Sequence, residues 1–258
     1  TLIKKNEYES LEIILDSNTN YSQNPLFQEL NNYSTFKTTF LDAPLYKLKH
    51  HLVVSNYVNK SSSDVYFYPH FDAPIFITRK KKVFVIHDLL PLVVKDYIIK
   101  HKRLKQFYFK TLIKINLFKK NSVCISVSKS TKNDILKYVA PNKKNKIKVV
   151  LEGPFDIAID NLEENDQLKN ITKLKYLFYV GDRRPHKNLP LMIKIFTLLQ
   201  DKYNYEGHFI IAGSEKNYKV DIDELVRNND KIKLIGKVSD KDLLLLYKNM
   251  ESLFFISK

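Results

Sequence analysis

Cysteine occurs once in the 258 residues, at Cys124. A single thiol cannot build a disulfide framework or a cysteine-based zinc site, so a reducing, cytosolic compartment fits this chain. Long apolar runs are missing too. No stretch approaches the ~18 uninterrupted apolar residues of a spanning helix, and the N-terminus has no signal-peptide core. Acidic residues are scarce in one region only. Through Val150 there are 26 basic and 11 acidic residues, and from Leu151 onward 17 of each, so the whole formal charge of +15 belongs to the first part. Between Arg79 and Lys120, 13 basic residues are opposed only by Asp88 and Asp96. Such a field attracts anions: nucleic acid, acidic lipid headgroups or phosphorylated substrates.

What is present points to a folded α/β chain. Hydrophobic residues make up 44% and aromatics 12%, enough to bury a sizeable core and to exclude disorder as the main state. Short β-branched and aromatic runs alternate with segments of helical period, the βαβ pattern of a parallel sheet. Strands are predicted near 11–15, 64–68, 82–86, 122–127 and 146–151. Helices are predicted over 44–57, 97–118 and 130–138, the last with Ser128 or Ser130 as its cap. Residues 152–174 are polar and acidic and read as a connection. The pattern then restarts, with strands at 176–180, 208–212, 231–235 and 253–256 and helices at 189–200, 222–228 and 240–250. This gives two Rossmann-like βαβ domains facing a cleft, over 1–152 and 175–258 with a linker at 153–174. In such sheets ligands gather at the carboxyl ends of the strands. The chain opens at Thr1 without methionine and stops at Lys258 directly after an apolar run, so it reads as a fragment with both domains incomplete.

Two stretches carry chemistry. Tyr176 to Asn188, YLFYVGDRRPHKN, runs from a buried strand through a turn into a helix. Gly181 permits the tight turn, and Arg183, Arg184 and Lys187 place cations beside a helix N-terminus, a suitable arrangement for a diphosphate. A solvated basic turn is the plainer reading of the same residues. Lys82 to Pro91, KVFVIHDLLP, likewise delivers His87 and Asp88 at a strand end, where they could move a proton or hold sugar hydroxyls. Local hydrogen bonding between them is the plainer reading.

In order along the chain, Ser63 to Pro74 followed by Val85 to Pro91, then Ile125 to Ile135, the Gly181 to Asn188 turn, His208 to Gly213 and Ile232 to Leu243 resemble family 4 glycosyltransferases of the GT-B fold, the glycosyl transferases group 1. The resemblance implies transfer of a sugar from a nucleotide-diphosphate sugar, bound mainly by the C-terminal domain, to a glycan or lipid-linked acceptor held mainly by the N-terminal one. It implies that Lys187 contacts the donor diphosphate with Arg183 or Arg184 beside it. By the same likeness Gly213, Gly236, Lys237 and Val238 lie on the nucleotide base side, and His87 lies near the transferred sugar. It further suggests retention of anomeric configuration, no cofactor and no bound metal, and work in bacterial surface polysaccharide synthesis at the cytoplasmic face of the plasma membrane. The family's glycine-rich first loop and its glutamate-bearing segment have no counterpart among these residues. An inactive truncated transferase is therefore one alternative reading, and a nucleic-acid-binding module on the basic N-terminal surface is another, although no nucleic-acid partner is expected.

The remaining features have mostly structural readings. Lys95 to Lys120 is expected to pack Leu104, Phe107, Leu112, Ile115 and Phe118 among its apolar residues and to keep a solvated basic face, or to rest that outer face on anionic lipid. Asp221-Ile222-Asp223 reads as charge complementarity at a helix start rather than a metal pair. His50, His51, His70, His101 and His208 show no metal-ligand spacing and are assigned surface or strand-packing roles. Cys124 reads as an inert core thiol.

Overall fold

A computed structural model describes residues 10–21, 36–94, 97, 102–153, 166–213 and 222–256. The chain divides into two compact units, one of residues 1–93 and 100–152 and the other of 94–99 and 153–258. Every strand pairing described is parallel.

In the first unit, β1 (Leu11–Asp16) pairs with β2 (Phe36–Leu41), and β3 (Val65–Tyr68), β4 (Lys81–Ile86), β5 (Ser122–Ser126) and β6 (Ile147–Val149) form a four-stranded sheet in that order. The helices are α1 (Leu48–Lys60), the short α2 (Leu90–Val93), α3 (Lys102–Phe118) and α4 (Lys129–Tyr138). An interior parallel strand is covered on both faces, which is why β4 reads as the unbroken run Val83 to Ile86 rather than as an alternation. Phe84 and Ile86 meet Phe109, Ile113 and Leu117 of α3, Ile135 of α4 and Cys124 of β5 in one core. The spacing of those α3 residues by four places them on a single helical face. Helix α4 starts where Ser128 accepts a hydrogen bond from the Thr131 N–H at 3.0 Å. Burial in this core pushes the Cys124 thiol up to about 12, and the residue is an inert packing group.

In the second unit, the sheet runs β10 (Ser252–Leu253), β7 (Tyr176–Val180), β8 (His208–Ala212), β9 (Ile232–Gly236). Its helices are α5 (Asp166–Lys169), α6 (Leu189–Tyr203), α7 (Asp223–Arg227) and α8 (Asp240–Asn249). Successive side chains of a strand point to opposite faces, so one strand feeds two cores. Tyr179, Phe209 and Ile211 pack with Met192, Ile193 and Phe196 of α6. Tyr176, Phe178, Ile210 and Ala212 pack on the other face with Leu246 of α8.

Several elements differ from the sequence reading. Strand β2 was not expected, because FKTTFL mixes threonine and lysine into a short run without clear alternation. Helix α1 begins at Leu48 rather than at residue 44, since Tyr46 holds a left-handed φ of 61° that a helix cannot contain. The stretch read as a polar connection contains α5, and Leu168 and Ile171 are buried in the second unit; its residues 154–165 lie outside the described residues. His50 and His51 were assigned surface or strand-packing roles. They are instead buried on α1, where His50 bonds the Ala43 carbonyl at 3.2 Å and the Tyr68 hydroxyl at 3.1 Å. His70 pairs with the buried Asp72 at 2.7 Å. Burial raises the Asp72 carboxyl, and the His70 hydrogen bond and charge more than offset that and hold it below its ordinary value. The last predicted strand pairs only at Ser252 and Leu253, with the Phe254 N–H donating to the Phe178 carbonyl at 2.7 Å. His101, Asp221 and residues 98–101 of the predicted helix lie outside the described residues.

Candidate functional site

Parallel strands end together, and in the second unit β9 ends in Gly236 while β7 and β8 run directly into Gly181 and Gly213. The Gly181 N–H donates to the Ala212 carbonyl at 3.1 Å, and the Gly213 N–H donates to the Gly236 carbonyl at 2.7 Å. All three glycines have positive φ, at 155°, 129° and 69°. Gly213 has a further reason to lack a side chain: a Cβ there would stand 1.9 Å from the Gly181 carbonyl oxygen. The carboxyl edge of β7, β8 and β9 is thus bare backbone, closely approached at Gly181 and Gly213 and open at Gly236. Of the neighbouring residues assigned to the base side, Lys237 is exposed, whereas Val238 packs partly buried against the core beside α8.

The turn after β7 carries the cations, and it is fixed from below. The buried Tyr179 hydroxyl donates to the Asp182 carbonyl at 2.8 Å. Burial pushes that phenol up to about 12, with Asp182 adding to the effect. Arg184 pairs through Nε with Asp182 at 2.6 Å and donates from Nη1 to the Tyr97 hydroxyl at 2.8 Å. Arg183 reaches Asp223 at 3.4 Å, with its own side chain only 10% exposed. Lys187 lies 4.9 Å from the centroid of the Phe255 ring, and Phe255 stacks on Tyr179. Asp223 opens α7, as a helix-start carboxylate was expected to, and it is also an ion-pair partner of this turn.

The expected helix N-terminus has a different shape. Pro185 to Lys187 form a single 3-10 turn, and α6 follows at Leu189 after a left-handed Asn188. The Lys187 and Asn188 N–H groups bond the Arg184 and Pro185 carbonyls, Leu191 and Met192 bond the Asn188 carbonyl, and Pro190 has no N–H to give. Charge for an anion at this turn comes chiefly from side chains.

His87 leaves the carboxyl end of β4 in the first unit. Its Nδ1 is 2.9 Å from Glu152 Oε1 and its Nε2 is 3.0 Å from the Pro69 carbonyl, while its own carbonyl accepts from Thr131 Oγ1 at 3.0 Å. Asp88 Oδ1 accepts from the Leu90 N–H at 3.0 Å, a local bond at the start of α2. Glu152, Tyr97 and Phe255 escaped the sequence reading. Only Glu152 left a signal, as a polar residue just past a strand end. Among the described residues, no group of three or more His, Cys, Asp or Glu is placed to hold a metal.

Comparisons with known proteins bear on the fold. Residues 134–258, a little under half of the chain, match the family model described as Glycosyl transferases group 1. The fold is the α/β fold of GT-B glycosyltransferases. A glycosyltransferase from Rickettsia africae superposes with a TM-score of 0.59 at 14% identity, covering 94% of this chain and 72% of its own. Anabaena HepE, solved in complex with UDP and glucose, superposes with a TM-score of 0.54 at 15% identity over 94% of this chain and 66% of its own. In sequence, the serotype-specific mannosyltransferase WbdA of Escherichia coli is 23% identical over 188 residues, 67% of this chain. The chain spans 22% of the length of that relative.

Proposed function

We propose that the protein moves a sugar from a nucleotide-diphosphate sugar to a glycan or lipid-linked acceptor in bacterial surface polysaccharide synthesis, at the cytoplasmic face of the plasma membrane. The observation that carries this reading is the cluster of Arg183, Arg184 and Lys187 beside the bare Gly181, Gly213 and Gly236 edge, inside the region that matches the family. A diphosphate arriving there exchanges one oxyanion for another: the Arg184 guanidinium, now paired with Asp182 through Nε alone, would turn its fork of donors to phosphate oxygens. Gly236 has open space where a side chain would stand, and that space is room for the nucleotide. Cationic side chains placed in advance offset the charge that builds on the leaving diphosphate, so the reaction is read as metal-independent. Retention of configuration and a role for His87 beside the transferred sugar follow from the family likeness. HepE, bound to UDP and glucose, and the mannosyltransferase WbdA support the substrate class.

Titration calorimetry of the chain with UDP, GDP and ADP tests the reading. One nucleoside diphosphate should bind selectively. Lys187→Ala should weaken it by about 1.5 to 3 kcal/mol, on the order of tenfold to a hundredfold in Kd. Equal, salt-sensitive binding of all three and of inorganic diphosphate would reject a nucleotide site.

A further inference from the structure

His70 and Asp72 follow β3 at the carboxyl edge of the first sheet, beside the strand end that carries His87. The carbonyl that holds His87 Nε2 belongs to Pro69, the residue before His70. Asp72 is 1% exposed and its Oδ1 lies 2.7 Å from His70 Nδ1, while the His70 side chain is 39% exposed. A carboxylate accepts and does not donate, so Nδ1 supplies the hydrogen of this bond. No described residue hydrogen-bonds Nε2, on the far side of the ring, which offers a lone pair when the ring is neutral. Burying a carboxylate is unfavourable, and here it fixes the orientation of an imidazole that faces water.

A second unfavourable feature lies in the backbone. Tyr46 holds a left-handed φ of 61°, and its side chain stays 55% exposed. Its ring centroid is 6.0 Å from that of His70, edge-on, and 6.2 Å from that of Phe71. Phe71 in turn lies 4.4 Å from His70 and anchors the group on Phe109 of α3 at 4.3 Å. Both features have one outcome: a tyrosine ring and an imidazole nitrogen are held side by side at a strand end, where ligands of such sheets gather.

We infer that Tyr46 and His70 form a sugar subsite, in which a pyranose lays its C–H face on the tyrosine ring and one of its hydroxyls donates to His70 Nε2, with Asp72 as the positioning residue. A pyranose has both an apolar face and a rim of hydroxyls, which matches a flat ring beside a single directed acceptor. A phosphate would meet the Asp72 carboxylate behind the imidazole. That the sugar belongs to the acceptor rests on the transferase reading, which gives the first unit to the acceptor.

The chain contains no tryptophan, so Tyr46→Trp keeps an aromatic face and makes a single reporter. Its emission should change saturably with at least one of the methyl α-glycosides of mannose, glucose and galactose. His70→Ala in that background should weaken the binding about tenfold. One monodeoxy analogue of the bound glycoside should lose as much on the reporter protein and nothing further on the His70→Ala variant. Nitrogen-15 spectra should show the neutral His70 ring with its hydrogen on Nδ1, and Asp72→Asn should move it to Nε2. Thermal melts matching the parent identify the variants that remain folded. The inference is overturned if no glycoside moves the emission, if folded His70→Ala binds as the reporter protein does, or if the neutral ring carries its hydrogen on Nε2 in the parent. Calorimetry with UDP, GDP and ADP separates the two readings, and His70→Ala should bind them as the parent does. Loss of nucleotide binding in that variant would assign the position to the donor and overturn the inference. Nucleotide binding without any glycoside response would overturn it and leave the transferase reading standing, whereas a glycoside response without nucleotide binding would overturn the transferase reading and support the sugar subsite.

Discussion

Gly213 shows how one residue type can be required twice at one place. Its φ of 129° suits glycine, and the space where a Cβ would sit is filled by the Gly181 carbonyl. Gly213→Ala should therefore cost about 2 to 3 kcal/mol, read as a lower urea midpoint with an unchanged slope, because neither backbone segment can withdraw without breaking a ladder hydrogen bond. A loss below about 0.5 kcal/mol would show that the edge relaxes. Glu152 is the second residue to test. It holds His87 Nδ1 while the Pro69 carbonyl holds Nε2, so it sets the position of the ring. In a transfer assay Glu152→Gln should lower kcat about tenfold with little change in the donor KM, and Glu152→Asp should restore part of it. Equal losses in both variants would indicate that the carboxylate does not orient the ring.

At the scale of elements, β4 and α3 are joined by a polar contact inside an apolar core. The Lys82 ammonium is fully buried, donates to the Pro74 carbonyl at 2.9 Å and reaches Asn116 Oδ1, while Asn116 donates to the Ala73 carbonyl at 3.0 Å. Burial, with Lys119 nearby, pushes Lys82 down to about 7. In the unfolded chain it titrates near ~10.4. Between those two values the unfolded state binds the additional proton, so folding becomes more favourable as pH rises, by on the order of 1 kcal/mol per unit. Below about 7 both states are protonated, and the full cost of burying the charge remains. Lys82→Met should flatten this rise, measured as the change in urea midpoint between about pH 7 and pH 9 in parent and variant. Parallel slopes would mean that Lys82 titrates normally. These elements were legible along the chain, since the β4 run and the four-residue spacing of α3 are local patterns. The contact between them was not. A lysine inside a strand reads as solvent-facing until Asn116, 34 positions away, is placed against it.

For the whole molecule, each unit has its own core, and the cationic turn belongs to the second one. A nucleoside diphosphate at about a hundred times its Kd should stabilise that unit by ~2.7 kcal/mol. Hydrogen exchange should slow at the carboxyl ends of β7, β8 and β9 and stay unchanged in β4 and β5. Protection spread evenly over both units would place the ligand elsewhere or require a global change.

The parallel sheets, the glycines at the strand ends and the cations after β7 were determined by the sequence alone. Apolar period, turn chemistry and charge are properties of neighbouring residues, and they survive in any arrangement of the rest. Tertiary structure alone decided what each of those groups meets. Arg183 finds Asp223 across 40 positions and Arg184 finds Tyr97 across 87, and no local spacing encodes such a meeting. The same holds for α3, where a periodic pattern permits two apolar faces and only the packed sheet selects which of them is buried.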